Sequence, residues 1–220
     1  MKKEILYHGS SVIVDKPEYG IGKPYNDYGR GFYCTKHIEL AKEWAVGENT
    51  DGYVNQYEID ISELKILNLL DKHFNILHWM ALLLKNREFN IRSPIAARGK
   101  EYIIDHFLIN TDEYDMIVGY RADDSYFSFA RDFLNNTITL KQLKYAMELG
   151  ELKEQYVLVS RKAFEIIKYI SSEQVDHDVY YLKRKERDDK ARKTYFDQQD
   201  QDIINGIYLR DIINGVKIDE

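Results

Sequence analysis

Apolar and polar side chains alternate from Gly52 to Ile61, with Tyr57, Ile59 and Ile61 on one side and Gln56, Glu58 and Asp60 on the other. That period of two predicts a half-buried β-strand. Shorter apolar runs predict further strands at Ile5–His8, Phe32–Thr35, Tyr114–Tyr120, Gln155–Ser160 and Val175–Leu182. Helical spacing intervenes between them. Ile38, Ala41, Trp44 and Ala45 share one face of a helix with Thr35 as its cap and Gly47 as its end. Residues 73–86 are apolar enough for a core helix, and Ser93-Pro94 opens another over 94–109. Helices are also expected after the 121–127 stretch to about Leu134, from Thr139 to Leu149 and from Ser160 to about Ile170. Residues 15–31 hold Pro17, Pro24, Gly20, Gly22, Gly29 and Gly31 and read as a long loop.

The pattern predicts an α+β domain over residues 1–182, with a helical insertion at about 70–110. A charged helical extension follows over 183–220. Its first part, Lys183–Lys193, carries seven basic and three acidic residues among eleven. This run reads as a solvated helix more readily than as a nucleic-acid contact. The segment 202–207 recurs nearly unchanged as 211–216, and two copies are too few for a solenoid.

Composition narrows the function classes. The 220 residues include 44% hydrophobic residues, and 37 acidic against 31 basic residues give a net charge of −6. Such a chain folds rather than staying disordered. Its mild acidity disfavours bulk electrostatic binding of nucleic acid. No apolar stretch is long enough for a membrane span, and no signal peptide is evident at the start. A lone cysteine, Cys34, cannot form an internal disulfide, so a cytoplasmic protein is expected. No histidine stands at a spacing that suggests a metal site.

Three separated motifs carry candidate chemistry. A first strand ends in His8-Gly9-Ser10. A glycine turn, Tyr28-Gly29-Arg30-Gly31, leads into Phe32-Tyr33-Cys34-Thr35. A later strand opens with Glu154-Gln155-Tyr156. Each alone has an ordinary structural reading: a strand-end histidine, a hairpin approach, a polar strand start. In this order they resemble the ADP-ribosyltransferase superfamily, in its His-Tyr-Glu branch that includes diphtheria toxin and the poly-ADP-ribose polymerases. In that branch a strand ends in His-Gly-Ser or His-Gly-Thr, a second motif reads Gly-x-Gly-hydrophobic-Tyr, and a later strand opens with Glu. A second aromatic lies eleven residues after the tyrosine, here Trp44. The stretch Tyr114–Phe127, which contains Asp123, Asp124 and Ser125, resembles a bacterial branch of the same superfamily.

The resemblance implies a split β-sheet core with flanking helices, and NAD as co-substrate without a metal. It implies mono-ADP-ribosyl transfer to a macromolecular acceptor, protein or nucleic acid. It further implies that such enzymes are often bacterial toxins or defence effectors held by a small antitoxin-like partner. The alternatives are an NAD glycohydrolase or an inactive module that binds NAD or ADP-ribose. The expected catalytic set is His8, Tyr33 and Gln155. Expected around NAD are Gly9, Ser10, Tyr28, Gly29, Arg30, Gly31, Phe32, Thr35 and Trp44, with Arg30 and Arg121 as candidates for the pyrophosphate.

Gln155 departs from the family's Glu. An amide keeps a hydrogen bond to a ribose hydroxyl but loses the charge and cannot act as a base. Glu154 faces the other side of the strand. Asp123, Asp124 and Ser125 are the candidates to restore charge or orient the acceptor, although a residue there also serves simply as a helix cap.

Overall fold

The structure is a computed structural model that describes residues 2–122, 124–149, 153–198 and 205–218, with the side chains of 124–126 and 196–198 outside that set. Two small sheets form its centre. One has three antiparallel strands in the order β1 (Lys3–Ser10), β3 (Gly52–Asp60), β7 (Lys168–Val175). The other has four, in the order β2 (Phe32–Cys34), β6 (Glu154–Leu158), β5 (Met116–Tyr120), β4 (Ile66–Asn68). The fold class is α+β, as the pattern predicts.

The β4–β5 pair is the one parallel pair among these strands. Parallel neighbours need a long crossover. The segment expected as an insertion supplies it, as α2 (Ile76–Asn86) and α3 (Pro94–Phe107). Trp79 through Leu84 are all buried on α2, so this helix is the centre of the larger core. Asn75 caps it, accepting from the Leu77 amide, and Ser93 caps α3 with Pro94 at the first turn.

The sheets share a core of Leu6, Tyr57 and Ile59 with Phe32, Met116 and Leu158, and one backbone bridge among the described residues joins them. Tyr7 and Thr35 exchange two backbone hydrogen bonds, of 2.8 and 2.9 Å. The bridge joins β1 to the end of β2 and sets the His8 end of one sheet beside the Tyr33 strand of the other. Helix α1 (Ile38–Ala45) then crosses β1 and β3. Its residue before the first turn is His37, not Thr35. The Thr35 hydroxyl instead accepts from the His37 amide.

Two strand-and-helix expectations are corrected at the C-terminal side. Helix α6 (Arg161–Ile166) stops before Ile170, and β7 occupies Lys168–Val175. This edge strand pairs only with β3 and is exposed along most of its length, so it lacks an apolar signature. The run Val175–Leu182 is not a strand. Asp51 accepts from the His177 amide and Asp176 from the Asp178 amide, and these carboxylates start α7 (His177–Gln198). The expected boundary at 182 therefore falls inside a helix. The remaining helices are α4 (Asp124–Leu134), α5 (Leu140–Glu148) and α8 (Leu209–Ile213). Of the repeated segment, 202–204 lies outside the described residues.

Helix α7 packs on α1 rather than standing in solvent. Arg187 donates to the Glu43 carboxylate at 3.0 and 2.9 Å, and both side chains are largely buried. Arg184 donates to the carbonyls of Glu43 and Val46 at the C-terminal end of α1. That end carries partial negative charge, which favours a guanidinium. Arg187→Met is expected to lower stability by about 3 kcal/mol, because it strands a mostly buried carboxylate. Thermal melting of the variant beside Lys183→Met, whose ion pair is exposed, measures the difference.

Candidate functional site

The sheet junction opens into a cleft of about 1150 Å³. His8, Gly9 and Ser10 come to it from the end of β1. Gly31, Phe32 and Tyr33 come from β2, Trp44 from α1 and Gln155 from β6. The expected catalytic set, spread over nearly 150 residues of chain, thus lines one cavity. The 11–31 loop makes a long wall of it, and α7 closes another side with Tyr181, Arg184, Lys185 and Asp188.

Local bonds fix the state of each polar group. His8 Nδ1 lies 2.7 Å from the Tyr33 carbonyl oxygen. A carbonyl only accepts, so Nδ1 carries the proton and Nε2 is a bare acceptor in the neutral ring. Burial pushes the imidazole below its ordinary value, while the Tyr33 carbonyl pulls the other way. The ring also lies against Phe32, with centroids 4.4 Å apart.

Tyr33 has no free hydroxyl. Its O–H donates to the Gly29 carbonyl at 2.7 Å, and its oxygen accepts the Tyr28 amide at 3.1 Å. Burial holds the phenol well above its usual range. The residue offers a ring face, and its hydroxyl locks the glycine turn in which Gly29 takes a positive φ of 75°.

Gln155 is 3% exposed. Its amide nitrogen donates to Asp27 Oδ2 and to the Tyr120 carbonyl, each at 3.1 Å. Both partners only accept, which settles the orientation of the carboxamide. Oε1 is left over, with no hydrogen bond from any described residue. Glu154 stands on the opposite side of the strand, where its carboxylate takes the Tyr156 hydroxyl.

Asp27 and Arg87 are functional candidates that sequence reasoning missed. Asp27 is 6% exposed and lies beneath the cleft. Its Oδ1 accepts from Arg87 at 2.9 Å, and its Oδ2 accepts from the Ala122 amide at 2.8 Å as well as from Gln155. Arg87 also donates to the Ala122 carbonyl at 3.0 Å. In sequence Asp27 looks like an ordinary turn former and Arg87 like the basic end of α2. Their spacings to their partners, 60 and 128 residues, leave no local signal.

Several expected ligand contacts are placed elsewhere. Tyr28 is a buried residue behind the cleft, its hydroxyl on the Tyr120 carbonyl at 2.8 Å, and is not a wall. Thr35 is fully buried at the sheet junction. Arg30 is exposed and donates to the Gly20 carbonyl. None of these three, nor Gly29, lines the cavity. Trp44 does line it, but the Arg121 guanidinium lies 4.1 Å over its ring, so that aromatic face already holds a cation. Asp123 and the side chains of Asp124 and Ser125 lie outside the described residues. Gly9 is pressed against α1, where a Cβ would meet the Ala41 carbonyl oxygen at 2.0 Å.

Among the described residues one group has metal-ligand geometry, Asp51, Asp176 and His177. It is exposed and outside the cleft lining, and Asp51 is engaged with the first turn of α7. No helix among the described residues is long and apolar enough to cross a membrane.

Residues 4–169 match the model of a family described as protein of unknown function (DUF3990). The chain belongs to this DUF3990 family. No curated protein and no solved structure gives a significant match. The family segment contains the four-stranded sheet, nearly all of β1, β3 and α1 to α6, whereas most of β7 and all of α7, with its four cleft residues, lie beyond it.

Proposed function

We propose that the cleft binds NAD and that the chain is a mono-ADP-ribosyltransferase of the ADP-ribosyltransferase-like split-sheet type. One observation carries the reading. Two acceptor atoms, His8 Nε2 and Gln155 Oε1, are each fixed by a bond to the other end of their own group, and both residues line a cavity beside the Tyr33 ring. That is what holding ribose hydroxyls next to a flat heterocycle requires.

In the proposed reaction the bond between ribose C1′ and the nicotinamide nitrogen breaks, and its electron pair leaves with nicotinamide. The ribose becomes oxocarbenium-like. Acceptors at its hydroxyls draw the hydroxyl protons toward themselves and so raise electron density on the sugar as positive charge develops. An acceptor nucleophile then adds to C1′ and loses its proton. The Tyr33 ring stacks on the cationic nicotinamide, an interaction of about 0.5–2 kcal/mol. Neither Tyr33 nor Cys34 acts as acid or base, since burial raises both well beyond neutral pH. With Arg121 over Trp44, the clamp on nicotinamide reduces to Tyr33 and the backbone of Gly9.

The test is incubation of the full chain with NAD labelled on the adenylate, with and without cell lysate. Transfer of label to macromolecules, lost in His8→Ala, is the expected result. Nicotinamide release at the same rate without lysate favours the glycohydrolase, and binding without release favours an inactive module.

A further inference from the structure

Gln155 is neutral, yet a developing oxocarbenium ion calls for negative charge nearby. The carboxylate bonded to Gln155 is Asp27, 3.1 Å from its amide nitrogen and buried beneath the same cleft. We propose that Asp27 is the positioning acid of this site: it fixes the Gln155 carboxamide and passes its charge through that amide to Oε1. The inference rests on the NAD reading above.

The bonding supports it from both sides. A carboxylate that accepts an amide N–H polarises the amide, so its carbonyl oxygen becomes a stronger acceptor. The second amide hydrogen is held by the Tyr120 carbonyl, which also takes the Tyr28 hydroxyl at 2.8 Å and the Trp79 indole N–H at 3.2 Å. Turning the carboxamide over would set Oε1 against two acceptors, Asp27 Oδ2 and the Tyr120 carbonyl. Arg87 bonds Oδ1, the oxygen away from Gln155, while Oδ2 faces the amide. Asp27 lies on the loop before β2 and Gln155 on β6, so acid and amide are split between two elements.

This arrangement makes a prediction opposite to simple restoration of a glutamate. Glu at 155 would place a second carboxylate about 3 Å from Asp27, and two such groups do not ionise together. Three variants test it: D27N, Q155E and D27N/Q155E. Their melting is followed from about pH 5 to pH 9 and their nicotinamide release from NAD is measured in the presence of cell lysate. In Q155E one carboxyl is held protonated in the fold, its pKa above the unfolded value. Stability is then present at low pH and is lost as pH rises through the folded pKa. Q155E is expected to melt lower at alkaline than at acid pH relative to wild type, and to release nicotinamide more slowly. D27N is expected to lower kcat about tenfold or more with little change in KM. D27N/Q155E, with one carboxylate again, is expected to lose the pH dependence and regain release about tenfold over Q155E. A pH response of Q155E identical to wild type overturns the pairing, whatever the activity. Wild-type protein that releases no nicotinamide overturns the proposed function and the catalytic use of Asp27 with it. Faster release by Q155E overturns the charge assignment alone.

Discussion

His8→Ala is expected to slow nicotinamide release about a hundredfold or more, within the range for removing a single fixed transition-state partner. The fold should survive. The ring is only partly buried, and its loss removes the Phe32 contact and one bond to the Tyr33 carbonyl. Those together come to about 1–2 kcal/mol, or a few degrees of melting temperature in a chain of this size. The pH profile of the wild type provides a second readout. Burial holds the folded His8 pKa below its ordinary 6.5, so Nε2 stays unprotonated through neutral pH. Release should be flat above about pH 6.5 and fall only on the acid side. The linkage has the same direction. The unfolded chain binds the His8 proton at a higher pH than the folded one, so this residue's contribution to stability is full above about 6.5 and is lost as pH falls through the folded pKa.

Gly9→Ala is expected to be the most destabilising single methyl in the site, costing about 3 kcal/mol or more. A Cβ at Gly9 would lie 2.0 Å from the Ala41 carbonyl oxygen and 2.7 Å from the Ala45 nitrogen, backbone against backbone. Gly52, on the paired strand, presses the same helix, with 2.0 Å from its added Cβ to the Ala45 carbonyl oxygen. Helix α1 sits on β1 and β3 only because both strands lack a side chain there. An alanine must lift it, and Trp44 and the α7 anchor at Glu43 move with it. Gly20→Ala is the control. Its added Cβ meets nothing, though its φ of 89° is strained for alanine, so a loss of only about 1–2 kcal/mol is expected. Equal melting losses at Gly9 and Gly20 would contradict the packing role. The glycine of the His-Gly-Ser motif therefore serves helix docking as well as any ligand.

The sequence made the strand-borne half of the site legible. His8, Tyr33 and Gln155 each sit on a short apolar strand whose pattern is local, and their order along the chain pointed to one cavity that the sheet junction then forms. The helices with caps were legible for the same reason, as with Ser93 and Thr139. Asp27 and Arg87 were not, because a buried ion pair looks in sequence like a turn residue and a helix-end cation. Burial, not spacing, makes them part of the site. Edge strand β7 escaped notice because it buries little, and Val179-Tyr180-Tyr181-Leu182 read as a strand because an apolar run has no period. Both tyrosines in fact face α1 while Val179 and Leu182 are exposed. The basic run that suggested a solvated tail instead forms a wall of the cleft, since Arg184 and Arg187 dock on α1.

Crystals of the full chain soaked with NAD test the central claim most directly. The expected density places a ribose with hydroxyls within hydrogen-bond distance of His8 Nε2 and Gln155 Oε1, and the nicotinamide ring on Tyr33. NAD bound elsewhere, or a cleft left empty at saturating NAD, would contradict it.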